Sequence, residues 1–180
     1  AFDESHIEKT ELFVTANDTL RVRMVDNDNF SSNFQNRKHD FKIAHDANGN
    51  KIIYSPDIDI MVKSTTDSIG RIVVAKSADG RNYETAIERA KNINYEFELK
   101  NNILLLDSYL TTDPENKFSD QDVDVILYLP INTVLFLENS TKHYLHYRIH
   151  NGTIAASEHM NHHLNVLDNY VECLDCPEED

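Results

Sequence analysis

The stretch DVDVILYLP (122–130) alternates without a break: Val123, Val125, Leu127 and Leu129 fall on one side of an extended chain. A period of two over that length requires a strand with one buried face, and Pro130 ends it because proline brings no N–H to a ladder. The same period returns in TLRVRM (19–24), where Leu20, Val22 and Met24 oppose Arg21 and Arg23. It returns again in DIDIMVK (57–63) through Ile58, Ile60 and Val62, and in INYEFELK (93–100) through Ile93, Tyr95, Phe97 and Leu99. Four shorter runs, LFVTA (12–16), IVVAKS (72–77), ILLLD (103–107) and TVLFLE (133–138), read as strands buried on both faces.

Between these runs lie turn signals: ANGN at 47–50, ADG at 78–80 and NN at 101–102. VDNDNFSSNFQNRKHD (25–40) has no periodicity and reads as a long loop. One segment keeps a different period. In RNYETAIERAKN (81–92) Tyr83, Ala86, Ile87 and Ala90 follow helical spacing, with Asn82 placed to cap and Glu84 near the positive end. The expected fold is mainly β, with short strands stacked as a solenoid, toast rack or sandwich, and one short helix near 82–92 that lies across a sheet end. One domain spans 1–180, and from 138 the strand signal thins into a less regular His-rich tail.

The chain has 180 residues and a net charge of −14. That charge repels nucleic-acid phosphates and anionic bilayer surfaces, so neither is an expected partner. No run approaches the roughly 18 apolar residues that span a membrane, and two cysteines are too few for a disulfide framework.

Six of nine histidines lie between His143 and His163, and Cys173-Leu174-Asp175-Cys176 follows before an acidic end. Cys173 and Cys176 with His159 and His163, which share a helical face at i, i+4, would supply a tetrahedral zinc set. The bland alternative is a disulfide between Cys173 and Cys176 that staples a fraying end. Redox catalysis is disfavoured, since no helix follows the motif to lower a thiol pKa and Glu172 and Asp175 would raise it. The carboxylate clusters DNDN (26–29), HDANGN (45–50) and SDQDVD (119–124) resemble pieces of calcium loops, but none completes the EF-hand pattern. No nucleophile elbow, P-loop or dinucleotide fingerprint occurs, so no catalytic residue is assigned.

The run from Tyr83 to Glu138 resembles the C-terminal region of bacterial proteins with a PspC (phage shock protein C) domain, in the form common in Bacteroidetes. Ala86, Arg89 and Ala90 match an A-x-x-R-A helix, and Leu104 to Tyr109 match L-x-L-D-x-Y. Tyr128, Leu129, Pro130 and Thr133 match Y-L-P-x-x-T. The likeness runs over about 10–176, and a cysteine pair after His162 or His163 closes the tail, with Leu164 where the pattern often has Trp. This resemblance implies a toast-rack domain outside the membrane, a fragment of a larger envelope protein. It further implies a non-enzymatic role in sensing or assembly, with envelope-stress or membrane proteins, or a second copy, as partners and no cofactor. The rival expectations are the zinc module and an envelope-polymer hydrolase. VILYLPINTVLFL (125–137), the most apolar stretch, is expected to be central core or a partner edge.

Overall fold

Alternation sets the layers. The computed structural model describes residues 2–26, 42–116 and 120–178, so the expected loop at 25–40 lies outside the described residues from position 27 onward. Its elements are β1 (Phe2–Leu12), β2 (Thr19–Val25), β3 (Lys42–His45), β4 (Lys51–Ser55), β5 (Ile58–Thr65), β6 (Gly70–Gly80) and α1 (Tyr83–Lys91). After the helix come β7 (Phe97–Lys100), β8 (Ile103–Asp107), β9 (Leu110–Thr112), β10 (Gln121–Pro130), β11 (Val134–Leu137), β12 (His163–Leu167) and β13 (Tyr170–Cys173).

A four-stranded sheet runs β1-β6-β10-β5, and a six-stranded sheet runs β13-β12-β11-β2-β8-β7. A small sheet, β3-β4-β9, stands beside them. The inward residues of the two large sheets join one apolar cluster, with Ile58, Ile60, Val62, Ile72, Val123, Val125, Leu127 and Leu129 meeting Leu20, Val22, Leu104, Leu106, Leu135 and Leu137. Each such side chain contributes roughly 1.5–3 kcal/mol on burial. The mainly-β, stacked-sheet expectation holds, and 125–137 is central core: its two strands lie inside the two sheets.

Four local expectations change. ILLLD and TVLFLE are buried on one face only, because Leu105, Val134 and Phe136 point to the outer side and are half-buried there. LFVTA is not a strand beyond Leu12, although Leu12 and Val14 are buried. In INYEFELK only Phe97–Lys100 forms a strand; Ile93 and Tyr95 are buried from a loop pinned by a bridge between Asn94 and Thr111. ADG is no turn but the end of β6. There Gly80 lets the helix approach, since a Cβ would sit 2.6 Å from the Ala86 nitrogen.

The NN turn is as expected: Asn101 and Asn102 both take positive φ, as a two-residue hairpin between β7 and β8 demands. Helix α1 begins where Asn82 Oδ1 accepts the Thr85 N–H at 2.8 Å. It buries Ala86 and Ala90 against β6 and β1, while Tyr83 stays exposed.

β1 pairs with β6 along its whole length at the edge of its sheet. Its inward positions are Glu4, His6, Glu8 and Thr10, because they stand opposite Ala78, Lys76, Val74 and Ile72. Lys76, buried in spite of its charge, donates to Glu8 Oε1 at 2.9 Å. Beyond residue 138 the chain is irregular through two short 3-10 turns, Asn139–Tyr144 and Ser157–His159. It then re-enters regular structure as β12 and β13, which complete the six-stranded sheet. Among the described residues no helix is long and apolar enough to cross a membrane.

Candidate functional site

The residues that carry the likeness hold the fold together. In the helix motif Ala86 and Ala90 are fully buried and Arg89 Nη1 donates to the Asp79 carbonyl at 3.1 Å. In Leu104 to Tyr109 the two inward leucines are core, Ser108 N–H donates to the Val25 carbonyl, and the Tyr109 ring packs tilted against Tyr54, 5.1 Å between centres. Asp107 accepts the Glu96 N–H at 3.1 Å; burial pushes its carboxyl up to about 6, which that hydrogen bond opposes. In the third motif the Pro130 carbonyl accepts the Thr133 N–H across a turn that needs Asn132 at φ +74.

Chemistry gathers instead on the outer faces. On the four-stranded sheet, register stacks polar residues in rows. Asp122 stands opposite Ser77, Ser77 opposite Ser5, Asp124 beside Asp59, and Asp3 opposite Asp79. Asp3, Ser5, Asp57, Ser77, Asp120, Gln121 and Asp122 line an open cleft of about 490 Å³. Burial, then the charges of Asp124, Asp57, Asp59 and Asp3, push the Asp122 carboxyl up to about 6. The cleft draws in SDQDVD at its second, third and fourth residues, but its partners come from β1, from β6 and from Asp57 just ahead of β5. Only the register, not local spacing, could have found them. HDANGN is a turn: Asp46 Oδ1 accepts the N–H groups of Asn48 and Asn50, and Gly49 supplies the positive φ. Of DNDN, only Asp26 is among the described residues.

The outer face of the six-stranded sheet is arranged differently. Arg21, Phe136 and His163 are register neighbours on β2, β11 and β12. The Arg21 guanidinium lies 4.2 Å from the Phe136 ring centre, and that ring is 4.8 Å from the His163 imidazole. Glu138 accepts from Arg21 Nε at 3.1 Å and from Arg23 Nε and Nη2 at 2.7 and 3.0 Å. The Arg23 hydrogen bond chiefly holds the Glu138 carboxyl below its usual range, against a smaller burial effect.

At the far edge of that face, Cys173 and Cys176 form a disulfide. His163 turns to Asp175, with Nδ1 at 2.7 Å from Oδ2 and its backbone N–H at 2.9 Å from Oδ1. His159 caps its own 3-10 turn, its Nδ1 accepting the Ala156 N–H at 3.0 Å. The tetrad of Cys173, Cys176, His159 and His163 is therefore not brought together. The residue that joins the cysteines is His162: its ligand-capable atom and the two sulfurs lie within 4.8 Å of one another. Helical spacing singled out His159 and His163, but the segment is a turn running into a strand, so that spacing did not apply.

The fold and its two outer faces define a mainly-β domain of stacked sheets whose signature residues serve packing and whose charge is displayed on the surface. A family profile for the toast rack found in some PspC proteins matches residues 44–179, most of the chain, and the chain belongs to that family. None of the curated proteins matches it. Among solved structures, a candidate cell adhesion protein from Clostridium sporogenes aligns at 8% identity over 75% of this chain and 46% of its own, with a TM-score of 0.30. The chain thus spans about half the length of that structure, and so loose a superposition carries no argument.

Proposed function

We propose that this chain is a binding and assembly domain, held outside the membrane, of a PspC-type envelope protein of the kind found in Bacteroidetes, and that it serves envelope-stress sensing without catalysing a reaction. The observation that carries the binding role is β1. It is an eleven-residue strand at the end of its sheet, bonded along one side to β6, with Phe2 and Ile7 more than half exposed. An edge of that length offers its second row of backbone groups to a strand from another protein. Its charged inward residues restrain promiscuous pairing, so a fitting partner is selected rather than any free strand.

The test uses the full-length membrane protein in its own cells, with a photo-reactive amino acid in place of Ile7 or Lys9, and in place of Glu84 on α1 as control. Cross-links from β1 to a second membrane protein, absent from the helix position, are the expected outcome; a link to a second copy would identify self-association. Equal cross-linking from all three positions would sink the strand-addition reading.

A second reading, hydrolysis of an envelope polymer, draws on the acidic cleft, where Asp122 with a carboxyl near 6 faces ionised neighbours. Incubation with peptidoglycan separates the two: release of soluble fragments by the native chain, lost in Asp122→Asn, would favour the hydrolase.

A further inference from the structure

The C-terminal cysteines sit where their alternative chemistry has a ready third group. Cys173 closes β13, and a two-residue turn brings Cys176 back beside it. The Leu174 N–H donates to the His163 carbonyl at 2.8 Å, which carries the β12–β13 ladder one step further and holds the turn over the start of β12. That contact puts His162 against the two sulfurs. Asp175, inside the turn, accepts the His163 N–H and sits 3.3 Å from His162 Nδ1. A carboxylate against a ring nitrogen fixes the orientation and tautomer of a metal-binding histidine.

Cys176 is exposed and Cys173 partly so, which leaves the disulfide open to a small or protein dithiol. We propose that Cys173, Cys176 and His162 form a thiol-gated site for Zn²⁺: closed as the disulfide under oxidising conditions, and open to the ion once a dithiol has reduced it. In the gating step the dithiol gives two electrons and two protons. The Cys173–Cys176 bond breaks, two S–H groups form, and the donor leaves as its own disulfide. Binding Zn²⁺ then releases the two thiol protons to solvent, so the ion is held by two thiolates and an imidazole. Two sulfurs on one tetrahedral zinc stand roughly 3.8 Å apart at Zn–S bonds of about 2.3 Å. Side-chain rotation on Cα atoms 5.7 Å apart reaches that separation without moving the strand. Three protein ligands leave a fourth position for water, or for a group brought by a partner.

This site is independent of strand addition at β1, and its test shares no readout with cross-linking. The 180-residue chain, without a His tag, is reduced with a phosphine, freed of reductant under argon and titrated with Co²⁺ as a spectroscopic stand-in for Zn²⁺. One equivalent of Co²⁺ with a sulfur-to-cobalt charge-transfer band, bleached by Zn²⁺ and absent from the oxidised chain, is the expected result. Cys173→Ser should abolish the band. His162→Ala and His162→Asn should each weaken binding about tenfold or more, while His159→Ala leaves it unchanged. A reduced native chain with no band would overturn the proposal, as would undiminished affinity in both His162 variants.

Discussion

The two outer faces of this protein obey the same strand register and reach opposite electrostatic ends. On the four-stranded sheet the register sets Asp124 beside Asp59, with Asp122 and Asp57 just ahead of that pair, so like charges are neighbours. On the six-stranded sheet it lines Arg21 and Arg23 beside Glu138 and lays Arg21 over Phe136, so each charge meets an opposite charge or a ring. Both sheets share one core. The difference shows that burying one face of a strand leaves the outward residues to be chosen for something else: Arg21, Arg23 and Glu138 pair with one another on one face, and on the other burial and nearby aspartates push the Asp122 carboxyl up.

The largest expected effect asks whether the two sheets are one cooperative unit. Leu127→Ala on β10 and Leu104→Ala on β8 each truncate a fully buried side chain and should each cost about 2–5 kcal/mol. Urea denaturation followed by fluorescence and by circular dichroism should show a single shared transition in both variants. Separate transitions would break the comparison, since the faces would then belong to independent bodies.

Next comes the helix that spans β1 and β6. Gly80→Val forces a Cβ against the Ala86 backbone and should cost about 1–3 kcal/mol, with α1 loosened. Hydrogen exchange should show faster exchange at Ala86 and Ala90; unchanged protection there would mean that the close approach is not needed.

The acidic face should respond in the opposite direction. With a folded carboxyl near 6 and an unfolded one near 3.9, Asp122 holds more protons folded than unfolded between those values. Stability therefore falls as pH rises through about 4 to 6. Asp122→Asn should stabilise the chain at pH 7 by on the order of 1 kcal/mol once solvent screening is allowed for, and should flatten that slope. Thermal melts at pH 5 and pH 7, with and without added salt, measure it; added salt should shrink the gain, because the like-charge part is screened. A variant less stable than the native chain at pH 7 would show that neither burial nor the nearby charges disfavour the Asp122 carboxylate.

The smallest effect belongs to the paired face. Glu138→Gln should cost no more than about 1 kcal/mol at neutral pH, because the ion pairs are partly solvated. The sign with acid is reversed: a lowered carboxyl contributes above the usual carboxylate range and is lost as pH falls through its folded value. Mild acid should thus favour one face while stronger acid weakens the other, which a stability profile from pH 7 to pH 3 would reveal as a rise followed by a fall.

Much of this fold could be read from the chain, and the exceptions have physical causes. Val123 to Leu129 and Ile58 to Val62 announce their strands because every second residue is apolar and buried, and Asn82 announces the helix start it caps. β1 was silent because it overhangs the shared core: Glu4, His6, Glu8 and Thr10 occupy positions that would be apolar in a central strand. Phe136 made its strand look buried on both sides, whereas its ring lies on the outer face under an arginine. The candidate sites were less legible still. The acidic cleft draws on β1, β5, β6 and β10, and no local motif reports such an assembly. Helical spacing favours His159 and His163 over His162, but residues 157–162 form a turn ahead of β12, where that spacing has no meaning.

The parallel pairing of β2 sets a timetable for synthesis. Its arginine and the glutamate it bonds on the far side are 117 positions apart in the chain. At about 5–20 residues per second, translation takes roughly 6–23 seconds to cover that distance. Throughout that interval Leu20, Val22 and Met24 have left the ribosome while the strand that should lie beside them on that side has not. The apolar face of β2 therefore stays uncovered on that side until β11 emerges.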